Sequence, residues 1–218
     1  MINAMARPNG YRCLAVKTQG EAMARPASSR SADIHAAALE LFTRLGYEAT
    51  TMADIGAAVG IRGPSLYKHV ASKQDLLAQI MISTMERLLA AHRAAVATTD
   101  DPTERLRRAT EAHVRYHARH RLEAFVGNRE IRCLVEPHRG RVLALRAEYE
   151  AGFRELIRTG IGAGYFHVAS ARLASYAVLD LGMGVAVWFR DDGELAEDEV
   201  VWQYSEFALR IVGAQPAG

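Results

Sequence analysis

Apolar residues along this chain recur every three or four positions, the spacing that gives a helix one buried face. Between Asp33 and Gly46 they fall at Ile34, Ala37, Ala38, Leu41, Phe42 and Leu45, which predicts a first amphipathic helix with Gly46 as its stop. Thr51 and Asp54 then have the spacing of a capping box ahead of Ile55, Ala58 and Val59, and Gly60 ends this second helix after barely two turns. A third helix is expected to start near Gly63 and Pro64, where proline's missing amide hydrogen is not needed, and to run through Ser65, Leu66, Tyr67 and Lys68 to His69. Ser72 and Asp75 repeat the start signal. Leu76, Leu77, Ile80, Met81, Met85, Leu88 and Leu89 carry a fourth helix toward residue 97, long enough to bridge two domains.

Beyond it, Asp101-Pro102 starts a helix reaching about Arg119, and a shorter one holds Leu122 to Phe125. A long helix is expected from Glu136 to Arg158, broken by Gly160, Gly162 and Gly164. Two more run from Ala169 to about Phe189 and from Glu197 to about Ile211, separated by the turn Arg190-Asp191-Asp192-Gly193. Nothing alternates like a strand system, so the expected fold is all-α with about nine helices. The first three form a compact unit within residues 28–77, and residues 78–213 form a larger helical domain.

Half of the 218 residues are hydrophobic, enough for a real core. Cys13 and Cys133 are the only cysteines, which argues for a reducing compartment and a cytoplasmic protein, against a disulfide framework and against a thiolate metal site. No apolar run approaches the ~20 residues that span a bilayer, and the N-terminus lacks the apolar stretch of a secretion signal. A formal charge of +2 is too small to predict nucleic-acid binding by itself. Its distribution says more: within residues 1–30 Arg7, Arg12, Lys17, Arg25 and Arg30 oppose only Glu21, and residues 1–27 read as a disordered basic arm able to touch phosphate or a minor groove. Within that arm Ala-Met-Ala-Arg-Pro occurs at 4–8 and again at 22–26.

Two short helices joined by a glycine turn and braced by a preceding helix can push one helix into a major groove, although a plain three-helix packing unit has the same features. The residues decide between these readings. The segment from Thr51 to Leu77, with its Leu66-Tyr67-Lys68-His69-Val70 and Ser72-Lys73-Gln74-Asp75-Leu76-Leu77 elements, resembles the DNA-binding segment of the tetracycline-repressor family, and the likeness extends upstream through Ala38, Leu41, Phe42, Gly46 and Tyr47. That resemblance implies a homodimer on double-stranded operator DNA with inverted half-sites, and an effector pocket in the remaining chain. It also implies that Thr51, Tyr67, His69 and Lys73 approach phosphates and that Gly63, Pro64 and Ser65 meet base edges. Arg62 stands where a small capping serine is frequent in the family. Its fork suits guanine or phosphate, and with Pro64, Ser65, Lys68 and the basic arm it is expected to carry specificity, since Gly63 has no side chain to read a base. For Tyr67 a core position with a surface hydroxyl stays open, and for His69 a plain surface position.

In the larger domain, His113, Tyr116, His117 and His120 share one helix face. No acid joins them and no His-Glu-x-x-His pattern occurs, which argues against zinc; they line a ligand pocket or cap a packed aromatic face. The stretch from Phe125 through Asn128, Arg129 and Glu130 to Arg132, together with Arg146-Ala147-Glu148-Tyr149-Glu150 and Phe153, resembles actinobacterial repressors of fatty-acid or steroid catabolism that respond to acyl-coenzyme A thioesters. This implies an apolar cavity with Arg129 or Arg132 at an anionic mouth, unless Glu130 simply neutralises them in a surface ion-pair cluster. Tyr176, Asp180, Gly184, Val187, Trp188, Tyr204, Phe207 and Ile211 on the last two helices are expected to hold a four-helix dimer bundle; ordinary core is the alternative. The reading is a ligand-responsive repressor without a catalytic cofactor or metal, released by an acyl-coenzyme A thioester. A multidrug-like sensor of uncharged hydrophobes is its alternative. A helical enzyme is disfavoured because no nucleophile–base pair has a recognisable spacing.

Overall fold

The computed structural model describes residues 27–214, and over that span the chain folds into nine α-helices and one 3-10 turn. Helix α1 (Ala27–Leu45) begins earlier than the apolar period predicts, because its polar first turns carry no hydrophobic signal. Apart from Ala27, the basic arm lies outside the described residues. Gly46 closes α1 at a φ of 83°, a conformation glycine adopts without strain. Helix α2 (Met52–Ala58) has the expected capping box, with the Asp54 amide donating to Thr51 Oγ1 and the Thr51 amide donating to Asp54 Oδ2. Gly60 turns the chain at a φ of 67°. Gly56 lets that turn close: a Cβ there would sit 2.7 Å from the Ile61 carbonyl oxygen.

Helix α3 (Gly63–Leu66) is shorter than expected. Leu66 and Val70 both return to the core, and the backbone between them mixes three-residue hydrogen bonds, Lys68 to Ser65 and His69 to Leu66, with a single four-residue one, Val70 to Leu66, instead of continuing a regular helix. Helix α4 (Lys73–Val96) and helix α5 (Pro102–Arg119) match the sequence reading. Helix α6 (Arg121–Glu130) is longer, since Val126, Gly127 and Glu130 are also buried, and the 3-10 turn Ile131–Cys133 follows it. Helix α7 (His138–Gly162) runs through Gly160 instead of breaking there. The Phe166 ring folds back over Gly160, where a Cβ would meet it at 2.1 Å, and Gly164 makes the actual turn at a φ of 81°. Helices α8 (Ala171–Trp188) and α9 (Glu197–Ile211) complete the fold, with Gly184 to Val187 helical as expected.

Three apolar clusters organise these helices among the described residues, the smallest joining Val114 and Ala118 of α5 to Val185 of α8, Phe189 and Val200 of α9. One joins Ile34, Phe42, Ile55 and Leu66 of the first three helices to Leu76, Leu77 and Met81 of α4, and continues into Val126 of α6, Leu134 and Val142 of α7. Another surrounds α5, with Leu106 and Tyr116 packed among Leu88, Phe153, Ile157, Val178 and Ala208. The boundary expected at residue 77 therefore falls inside a shared core. No helix among the described residues is long and apolar enough to cross a membrane.

Candidate nucleic-acid interface and ligand cavity

Helix α3 is held to the body by Leu66, which is fully buried, and this anchoring turns the neighbouring polar side chains outward. Arg62, Pro64, Ser65, Tyr67, Lys68 and His69 are all exposed on one edge of the fold. Tyr67 is 56% exposed, which removes the core alternative. None of the four side chains of Arg62, Tyr67, Lys68 and His69 has a hydrogen bond or ion pair among the described residues, so two cations, a phenol and an imidazole stand free to meet an anion.

Two residues expected on phosphates have other partners. Lys73 Nζ donates to the backbone carbonyls of Tyr47 at 2.8 Å, Thr50 at 2.7 Å and Glu48 at 3.3 Å, and lies 4.3 Å from the Tyr47 ring centre. Its ammonium fastens the α1–α2 loop to the start of α4, which corrects the phosphate role expected for this side chain. Thr51 Oγ1 donates to Asp54 Oδ2 at 2.7 Å, so its proton is already placed. Together with the bond from the Thr51 amide, this holds the Asp54 carboxyl below the usual aspartate range.

A half-open cavity of about 530 Å³ lies in the larger domain between α4, α5, α6, α7 and α8. Of the residues expected to bind ligand, His113, His117, Asn128 and Tyr149 line it. Tyr116 and Phe153 sit in the core behind its wall. His120, Phe125, Arg129 and Arg132 do not reach it. Helix α6 turns Gly127 and Asn128 inward and thereby sends Phe125 and Arg129 outward, where the guanidinium lies 5.5 Å from the Phe125 ring and 3.6 Å from Glu130. Arg132 is exposed, and His120 stacks on Tyr116 at 4.3 Å beside Glu123. The arginines at the cavity are Arg146, Arg154 and Arg172, interleaved with Glu123, Glu150 and Asp180. Arg146 and Glu150 fall on the same α7 face as Tyr149 and Phe153, so filling in that stripe at Glu150 and extending it one turn back to Arg146 would have found them.

The buried imidazoles have assignable roles. His113 Nε2 lies 3.0 Å from the Leu179 carbonyl, which can only accept, so Nε2 carries the hydrogen and Nδ1 accepts from the Tyr149 hydroxyl at 3.0 Å. Burial pushes the His113 pKa down to about 4 and that of His92 to about 4, and also lowers that of His117. His113 reaches α8 because Gly182 has no side chain there; a Cβ would be 2.1 Å from its Cδ2. His117 Nδ1 and Thr84 Oγ1 are both buried on the cavity wall with no hydrogen-bond partner. Among the described residues no group of three or more His, Cys, Asp or Glu side chains is arranged to hold a metal ion.

On the outer face of α8 and α9, Tyr176, Val187, Trp188, Trp202 and Phe207 are exposed, Val187 by 74%. Tyr204 bridges Trp188 and Phe207 with ring centres 6.2 and 5.7 Å away. Gly184 has open space over it, whereas Ile211 leans partly on the core. Tyr176 and Asp180 also border the cavity.

Family comparison covers both halves of this architecture. Residues 34–80 match the bacterial regulatory proteins of the tetR family, and residues 99–212 match the tetracyclin repressor-like C-terminal domain. The HTH-type transcriptional repressor KstR2 of Mycobacterium tuberculosis is 27% identical over 184 residues, 84% of this chain and 92% of the relative. A tetR-family regulatory protein from Rhodococcus RHA1 is 32% identical with a TM-score of 0.81, covering 88% of this chain and all of the other. AibR, solved in complex with isovaleryl coenzyme A and operator DNA, shares the fold at 22% identity and a TM-score of 0.75, over 85% of this chain and 100% of its own. Exposed polar groups on a short helix, a helical domain around a cavity and two matched family models agree: the chain belongs to the tetracycline-repressor family, a family of DNA-binding transcriptional regulators and not of enzymes.

Proposed function

We propose that this regulator is a repressor that grips inverted operator half-sites as a homodimer and lets go when a hydrophobic effector, an acyl-coenzyme A thioester, enters the cavity. The observation that carries the reading is the cavity's placement. Its walls include Thr84, Met85 and Leu88 of α4 and Ala124 and Gly127 of α6, and those same two helices share an apolar core with the DNA-binding unit. A ligand that reshapes the cavity therefore acts on helices that position α3. To shift occupancy it must bind the DNA-incompetent state more tightly, since equal affinity for both states shifts nothing.

The volume lies within the range of about 300–1,000 Å³ common to small-molecule sites, and Arg146, Arg154 and Arg172 offer cationic partners for phosphate or carboxylate. The likeness to KstR2, whose solved structure is described as a ketosteroid transcriptional regulator, supports steroid or lipid catabolism as the regulated process. The apolar outer face of α8 and α9 supports pairing of two subunits through a four-helix bundle, with half-sites about 34–36 Å apart for a one-turn spacing. Arg154 already lies 3.3 Å from Glu150, and Arg172 donates to the Tyr176 hydroxyl. That internal pairing favours the alternative of a sensor for uncharged hydrophobes.

Fluorescence anisotropy of labelled operator, titrated with medium-chain, long-chain and steroid-derived thioesters and paired with calorimetry, separates binding from release. Saturable binding with loss of operator supports the proposal. Binding without release refutes the inducer role, and binding of uncharged hydrophobes alone selects the alternative.

A further inference from the structure

We infer that the effector is an otherwise apolar molecule bearing a neutral oxygen, hydroxyl or keto, which docks between Thr84 of α4 and His117 of α5. This rests on the effector-cavity reading above and narrows the chemistry of what the cavity takes. Both side chains are more than nine-tenths buried, at 6% and 5% exposure, and both line the cavity. Thr84 Oγ1 and His117 Nδ1 make no geometrically good hydrogen bond among the described residues; the Tyr116 hydroxyl, likewise unpartnered, is the polar side chain that approaches Thr84. Buried polar groups are almost always paired, so two open ones facing a single hollow mark the place where a ligand completes the pairing. His113, one turn earlier on the same helix, shows the contrast: both of its ring nitrogens are engaged by Tyr149 and Leu179.

The sign of the missing group follows from the surroundings. His113 lies 4.5 Å from His117 ring to ring, and burial disfavours a charged imidazole at either position. A neutral imidazole supplies one N–H donor and one acceptor nitrogen, and a threonine hydroxyl supplies both capabilities. A ketone oxygen accepts from the two donors at once; a hydroxyl accepts from one and donates to the other. A carboxylate held by these two groups would be buried against neutral partners, and a bare hydrocarbon would leave both groups unpaired.

Two matched ligand pairs test this on the full-length protein by calorimetry: decanoyl-coenzyme A against 10-hydroxydecanoyl-coenzyme A, and n-butylbenzene against 4-butylphenol. We expect the oxygenated member of a pair that binds to be about ten- to a hundredfold tighter, the scale of a buried hydrogen bond made or lost. Thr84→Val and His117→Phe should each erase that preference. Circular dichroism reports whether either variant is folded, and the isosteric Thr84→Val suffices if His117→Phe is not. Equal affinity within each pair, or a preference that survives in the folded variants, overturns the inference even if the thioesters bind. A preference for 4-butylphenol with no thioester binding upholds it and removes the coenzyme A reading. No binding of any probe overturns both.

Discussion

Gln74, in the first turn of α4, donates its side-chain amide to the Cys133 carbonyl at 2.7 Å, across the gap between the DNA-binding unit and the end of α6. The Val135 amide returns a hydrogen bond to Gln74 Oε1 at 3.3 Å, so the side chain grips that linker from both sides. One residue on, Asp75 Oδ1 lies 3.2 Å from His138 Nε2 at the start of α7. The helix start beside α3 is thus fastened to the segment that follows the cavity helix α6. Gln74→Leu should leave effector binding within about twofold and cut the effector's influence on operator affinity by about 1 kcal/mol, roughly fivefold. Measuring operator affinity with and without saturating effector checks this; an undiminished ratio between the two affinities would show that coupling passes elsewhere.

Lys73→Ala should act on stability before it acts on DNA. Three carbonyls of the α1–α2 loop lose their charged donor, and a loss of about 1–3 kcal/mol is expected. Urea denaturation gives the value. Lys73→Arg should recover only part of it, because a planar fork does not reproduce a point charge among three oxygens. A stability equal to wild type with weakened operator binding would return Lys73 to the phosphate backbone.

Tyr67→Phe and Lys68→Ala should weaken operator and scrambled DNA alike, by about 0.5–2 kcal/mol each, with a shallower salt dependence for Lys68→Ala. Arg62→Ala discriminates between two roles. Loss of preference at one base position, about 1–3 kcal/mol, indicates a guanine contact, whereas uniform weakening indicates phosphate. Anisotropy titrations at two salt concentrations on matched duplexes separate them, and unchanged affinity in all three variants would exclude this edge as the operator surface.

Acid should destabilise the protein well above the carboxylate range. His92 and His113 have folded pKa values near 4 against about 6.5 when unfolded, so the unfolded chain binds more protons between those limits. Their contribution is fully present above pH ~6.5 and lost progressively as pH falls toward ~4, on the order of 2 kcal/mol each by pH 5. Urea midpoints at pH 7.5, 6 and 5 follow the loss, and His92→Gln should flatten the curve. A midpoint independent of pH over this window would mean the two rings keep their ordinary basicity.

The sequence carried the helices and the exposed edge more fully than the cavity, for reasons visible at particular residues. Thr51, Gly60, Ser72 and Asp101 act through their immediate neighbours, so their caps and turns are legible from a few positions of chain. Gly160 misled because its role is set by Phe166 folding back over it, a contact that helix periodicity does not encode. Arg129 and Arg146 exchanged places for a similar reason. Which arginine faces the hollow depends on the rotation of α6 and α7 about their axes, fixed by Val126 and Val142 in a core shared with distant helices. Lys73 lies at the expected helix start, yet the use of its ammonium depends on carbonyls more than twenty positions earlier.

The apolar cluster that runs from Phe42 through Leu76 to Val126, Leu134 and Val142 sets how this regulator can be recombined. A chimaera joined at residue 77 would pair a reading head with a sensor shaped for another head, leaving Val126 and Val142 against foreign neighbours. Grafting a new operator preference onto this sensor therefore means transplanting the exposed edge of α3 alone, or carrying the end of α6 and the start of α7 along with the head. Substitutions confined to Arg62, Pro64, Ser65 and Lys68 leave the shared core untouched, so new operator specificities can be explored there while the response to effector is kept.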